Sequence, residues 1–132
     1  MKSAIHRPTL RALLAGAVLT TGAAAAHAAD DAAAARKLAT NHCGVCHSFG
    51  EGEPARQGPN LFGVLDRPAG SVPDFAYSAA FVKAVKGKEW TPGQLDRWLG
   101  DPQSVAPGTV MLYRQDDEDK RALLIRFLES LR

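Results

Sequence analysis

Cys43-Gly44-Val45-Cys46-His47 decides how the rest of this 132-residue chain is read. In a helical turn, residues three and four apart share a face, so the two thiols and the imidazole can converge on one flat ligand. Two cysteines at this spacing followed at once by histidine are suited to c-type haem. The thiols would form thioethers with the macrocycle and His47 would ligate its iron. A C-x-x-C pair alone also serves redox dithiols, disulfides and zinc sites. Cys43 and Cys46 are the only cysteines present, which excludes a four-cysteine zinc centre within one copy. A Cys2His2 site would have to crowd His42, Cys43, Cys46 and His47 into one short segment instead of drawing them from two loops. A dithiol oxidoreductase would set its C-x-x-C beside strand–helix units rich in β-branched runs, and this chain has none.

Upstream lies a segment with a different purpose. Lys2, Arg7 and Arg11 make a basic start, Leu10 to Leu19 an apolar core, and Ala26-His27-Ala28 a small-residue cleavage pattern. This predicts a signal peptide over residues 1–28, cut after Ala28, with one working domain over 29–132. The apolar core is shorter than the roughly 20 residues a bilayer span requires, so no stable membrane span is expected after cleavage. Export would place the chain in the periplasm, an oxidising compartment where haem attachment protects the thiols from disulfide chemistry. It would also change the charge. Sixteen Lys and Arg against fourteen Asp and Glu become thirteen against fourteen once Lys2, Arg7 and Arg11 are removed, a net charge of −1. Such a composition does not suit nucleic acid as a partner.

The remaining hundred or so residues read as all-α, with short helices and long loops. Asp31 to Asn41 is Ala-rich and predicts a helix running into the cysteine pair. Ser48 to Pro73 is rich in Gly and Pro and predicts loop. Ser78 caps a short helix through about Val85 and Lys86 that Gly87 ends. Thr91-Pro92-Gly93-Gln94 is a capping box with proline at the first helical position, starting a helix that Gly100 and Pro102 stop. Gln103 to Gly108 reads as loop. Asp116 to Asp119 crowd the start of a last helix through Leu123, Leu124, Phe127, Leu128 and Leu131, where acids suit the positive helix end. A domain this small buries a low fraction of its surface, and a large flat cofactor would supply the missing core.

If His47 fills one axial position on iron, the other has few candidates. His42 is tied by the chain to the same side, and Met111 in Pro107-Gly108-Thr109-Val110-Met111 is the only methionine after the leader. A thioether ligand would raise the reduction potential and keep the iron six-coordinate. Most methionines, however, are core fillers, and the residues alone leave both readings open.

The chain resembles the class I cytochrome c family, including its mitochondrial and bacterial periplasmic members, over nearly the whole of 29–132. Gly58-Pro59-Asn60-Leu61 is similar to the family's proximal loop, which implies that the Pro59 carbonyl orients His47. Phe75-Ala76-Tyr77-Ser78 and Lys88-Glu89-Trp90 match positions where the family places Tyr and Trp donors on a haem propionate, with Arg67 near the same group. The Pro107 to Met111 loop resembles the family's methionine loop, which implies that Met111 is the second iron ligand. Leu124-Ile125-Arg126-Phe127-Leu128 resembles its C-terminal helix, packed over a small-residue surface at Ala35 and Ala39.

The resemblance implies one haem c per chain. It also implies one-electron transfer, not enzymatic turnover, from a quinol-linked complex or dehydrogenase to a terminal oxidase or reductase. A haem protein that binds small molecules or acts as a peroxidase, and a dedicated subunit of one oxidoreductase, are the alternatives. The chain departs from the family's lysine-ringed members. His42 precedes Cys43, Gln103 and Ser104 follow Pro102, and acids fill 116–119, so a partner with an acidic docking face would gain little steering. Trp98 stands where many members have tyrosine in the distal pocket, which bears on hydrogen bonding near Met111, and the Ser78 to Trp90 stretch is slightly longer.

Overall fold

Alanine has the highest helix propensity of any residue, and the Ala-rich run Gly22–His42 forms a single helix, α1. The structure, a computed structural model, describes residues 22–132. Helix α1 begins nine residues before the expected start at Asp31, because nothing in the alanine run breaks a helix. Residues 1–21 of the expected signal peptide lie outside the described residues. Among the described residues no helix is long and apolar enough to cross a membrane.

Four further helices follow: α2 (Ala79–Val85), α3 (Pro92–Gly100), α4 (Pro102–Val105) and α5 (Glu118–Glu129). The capping signals operate as read. The Ser78 hydroxyl accepts from Phe81 N–H, and both arms of the Thr91–Gln94 capping box are made. Past α2, Gly87 takes a left-handed φ of 71°, a conformation side chains resist. Helix α5 starts at Glu118, two residues later than the first of the acids, with Asp117 as its cap.

The stretch after Pro102 departs from expectation. It was expected to be loop, yet it opens α4. Proline lacks only an N–H that the first helical turn leaves unused, and Asp101 supplies the cap by accepting from the N–H groups of Gln103 and Ser104. Inside the expected loop 48–73, one 3-10 turn forms at Val64–Asp66. Among the described residues the one sheet-like pairing is an isolated bridge between Pro68 and Glu89. The all-α reading with long loops therefore holds.

Helix α1 packs across α5, which also touches α3 and the 3-10 turn. Ala35 and Ala39 are 3% and 1% exposed and let α5 approach closely with Leu124, Ile125, Phe127 and Leu128. Phe127 is met edge-on by Phe49 at 5.1 Å and covered by the Arg36 guanidinium at 5.6 Å. On the other side of the core, Phe81, Trp90 and Trp98 form an aromatic cluster with centroids 5.3 to 6.3 Å apart. The loops between these two packed regions frame a cavity.

Candidate functional site

The cysteine segment is a direct continuation of α1. Cys43 N–H donates to Ala39 O at 2.8 Å, and both Cys46 N–H and His47 N–H then turn back to Cys43 O. This turn sets both thiols and the imidazole on the wall of a cavity of about 360 Å3. The two cysteines are not joined to each other in a disulfide. Burial, with a smaller contribution from Cys46, pushes the Cys43 thiol up to about 11.

His47 is held from behind. Its Nδ1–H donates to the Pro59 carbonyl at 2.7 Å; the carbonyl can only accept, so the proton sits on Nδ1 and the lone pair on Nε2. Burial lowers the imidazole's pKa below its ordinary value, outweighing the carbonyl hydrogen bond, so the ring is neutral at neutral pH. Gly58 makes this arrangement possible. A Cβ there would lie 2.3 Å from His47 Cε1, closer than any real contact.

Met111 lines the same cavity, and the Trp98 Nε1–H donates to its sulfur at 3.2 Å. Arg67, Tyr77 and Trp90 line the cavity as well. The Arg67 guanidinium donates to the carbonyls of Phe62, at 2.8 Å, and Asn60. With five N–H donors, it keeps others for a ligand. Tyr77 Oη accepts from Val72 N–H at 3.2 Å, and its ring stacks on Phe81 at 5.1 Å. Burial raises the Tyr77 phenol and lowers the Arg67 guanidinium relative to their ordinary values.

All eight residues singled out from the sequence thus border one hollow. Trp98 stands in the distal pocket, as the resemblance implies, with its indole on the sulfur itself, whereas Gln103, a surface replacement in the sequence reading, turns inward onto the methionine loop. A polar amide directly after an Asp-Pro helix start is the only sequence signal that could have pointed to Gln103. A second hollow, about 610 Å3, lies between charged residues of both signs, including Lys88, Glu89, Asp96 and Arg121. It shares only Trp90 with the first and contains neither cysteine, His47 nor Met111.

The first hollow fits a flat tetrapyrrole. Its wall is mostly aliphatic and aromatic, with Val64, Phe81, Leu95, Leu99, Leu124 and Leu128 among its members. Thiols and imidazole stand together, and an arginine, a tyrosine and a tryptophan stand ready for a polar edge. An all-α chain with this site defines a c-type haem protein.

Comparison with known proteins agrees. The chain is 40% identical over 94 residues to cytochrome c of Stellaria longipes, covering 70% of this chain and 85% of that protein. It is 41% identical over 91 residues to cytochrome c2 of Rhodopila globiformis, covering 68% of this chain and 83% of that one. The solved structure of cytochrome c2 from Rhodospirillum centenum superposes with a TM-score of 0.70 at 31% identity, covering 76% of this chain and 98% of that chain. No family model matches the chain. The chain belongs to the class I cytochrome c family, and Cys43 and Cys46 carry its haem c.

Proposed function

We propose that the chain is a single-haem one-electron carrier and not an enzyme, with His47 and Met111 as the two axial ligands of its iron. Haem, when bound, supplies an iron that changes valence by one electron. His47 is prepared for ligation by the Pro59 carbonyl, which fixes the tautomer and turns Nε2 toward the cavity. Met111 offers a soft thioether, which favours the ferrous state and raises the potential. Phe81, Trp98 and the leucines of the cavity wall exclude water, so little solvent rearranges when charge changes. Arg67, Tyr77 and Trp90 would hold the carboxylate edge of the cofactor.

The observation that carries this reading is that the Met111 sulfur and the His47 imidazole border one apolar cavity together with both thiols. A leader over residues 1–28 cut after Ala28 makes 29–132 the working domain in the periplasm. There it would take electrons from a quinol-linked complex or dehydrogenase and pass them to a terminal oxidase or reductase. Absorption spectra of the holoprotein, oxidised, reduced and under carbon monoxide, test the ligand set. The expected result is a methionine-to-iron charge-transfer band in the oxidised form and no carbon monoxide uptake in the reduced form. A missing band with ready uptake would instead support a small-molecule-binding role.

A further inference from the structure

The loop that carries Met111 has little packing of its own. Val110 and Leu112, which flank the methionine, are 76% and 80% exposed. Inside the loop the backbone supplies one hydrogen bond, from Thr109 N–H to Ala106 O at 2.9 Å, and the Thr109 side chain is buried. The side-chain hydrogen bonds to the loop backbone come from Gln103. Its Oε1 accepts from Gly108 N–H at 3.1 Å, while its Nε2–H donates to Thr109 O at 2.8 Å and lies 3.5 Å from Met111 O. A primary amide is a neutral side chain that both accepts and donates, so it can satisfy a peptide N–H and the carbonyl of the next residue together. Gln103 itself is aimed by α4, whose first turn Asp101 fixes by accepting from Gln103 N–H at 3.0 Å.

We propose that Gln103 is a positioning residue for Met111: its amide holds the 107–111 loop against the cavity and so governs how readily an external ligand replaces the thioether. This rests on the reading of Met111 as an iron ligand. Gln103 acts on the loop backbone from outside the cavity and Trp98 acts on the sulfur from within. The two grips are independent, since the indole N–H is a donor only and leaves the loop carbonyls to the amide.

The test uses the oxidised holoprotein and imidazole as probe, following uptake by absorption in Gln103→Leu and Gln103→Ala. Losing two neutral hydrogen bonds, at about 0.5–1.5 kcal/mol each, corresponds to uptake faster by roughly 5- to 150-fold. Thr91→Ala, which removes the cap at the start of α3, about two turns before Trp98 and with its hydroxyl bonded only to Gln94, controls for general loosening and should leave the rate unchanged. A rise of fivefold or more in both Gln103 variants, absent in Thr91→Ala, is the expected result. A smaller rise, or one that Thr91→Ala matches, overturns the proposal. Met111→Ala separates the two levels. If it leaves the oxidised spectrum unaltered, the ligand reading fails and this inference with it; if it alters the spectrum while Gln103 variants exchange slowly, this inference fails alone.

Discussion

At Gly58 a single hydrogen in place of a methyl group decides whether His47 can stand against the Pro59 carbonyl. An added Cβ would lie 2.3 to 2.8 Å from three atoms of the imidazole ring, and the neighbouring chain is pinned by Gly58 N–H donating to Cys46 O at 2.8 Å. Gly58→Ala should therefore cost roughly 1–3 kcal/mol through overpacking. Thermal denaturation of the holoprotein should record this as a midpoint lower by about 5–20 °C. Glu53 supplies a residue-scale test in pH. Its carboxylate accepts from Phe49 N–H at 3.2 Å and Gly50 N–H at 3.0 Å, and these bonds hold its pKa below the ordinary 4.5. A carboxylate lowered in the folded state stabilises above its unfolded pKa and loses that contribution as pH falls through the folded one. Denaturant midpoints of the native chain and Glu53→Gln should therefore differ at pH 7, and the difference should shrink as pH falls below the ordinary 4.5 and through the lowered folded-state value. The thiols and imidazole of the site are legible in the sequence because chemistry fixes their spacing. The grip of Gln103 is not, because an amide of this kind is ordinary on any surface, and only the course of α4 turns it inward.

Helices were legible where a local signal sets the boundary and illegible where only tertiary context does. Thr91 with Gln94, and Ser78 before α2, carry their caps in the sequence, and both form. Pro102 was read as a stop, since proline ends a preceding helix. The same residue also opens a new one when Asp101 precedes it, and the chain does both within two residues. The early start of α1 reflects an alanine run with no breaker. The most extensive helix–helix packing among the described residues, α1 on α5, buries two alanines of α1, which gives the element-scale prediction. Ala39→Leu would force extra methylenes into the α1–α5 contact and should destabilise by roughly 1–3 kcal/mol. Ala33→Leu, on the exposed side of the same helix, should change stability by less than about 0.5 kcal/mol. Paired urea titrations check this, and equal losses in the two variants would show that α1 does not pack through its small-residue face.

For the whole molecule, the cofactor is the missing part of the core. Without it, walls formed by Val64, Phe81, Leu95, Leu99, Leu124 and Leu128 would face water, and a small domain with only about 5–15 kcal/mol of stability depends on burying them. The double variant Cys43→Ser/Cys46→Ser, unable to attach haem, should accordingly lose its near-UV circular dichroism and unfold without a cooperative transition. The outer surface governs encounter in a similar way. Val45, Val110 and Leu112, at 74%, 76% and 80% exposed, are the large apolar side chains left open on the two segments that carry the thiols and Met111. Of the nearby charges, Arg114 is paired with Asp116, its Nε–H donating at 3.1 Å, and Arg56 has the Glu53 carboxylate in electrostatic reach. Asp117 pairs with Lys120 and Glu118 stands opposite Arg121 at the start of α5, so charges of both signs offset one another and leave little net field for a diffusing partner. Electrostatically steered encounters quicken by roughly ten- to a thousandfold at low salt, and this chain should show almost none of that. Oxidation of the reduced holoprotein by hexacyanoferrate(III), followed from low to high ionic strength, should change by less than about threefold. Leu112→Lys would place a positive charge at that entrance, so its reaction with the same anion should be faster at low salt and fall as salt is added. A steep salt dependence in the native chain would mean that charges elsewhere on the molecule, not this apolar rim, set the approach of its partners.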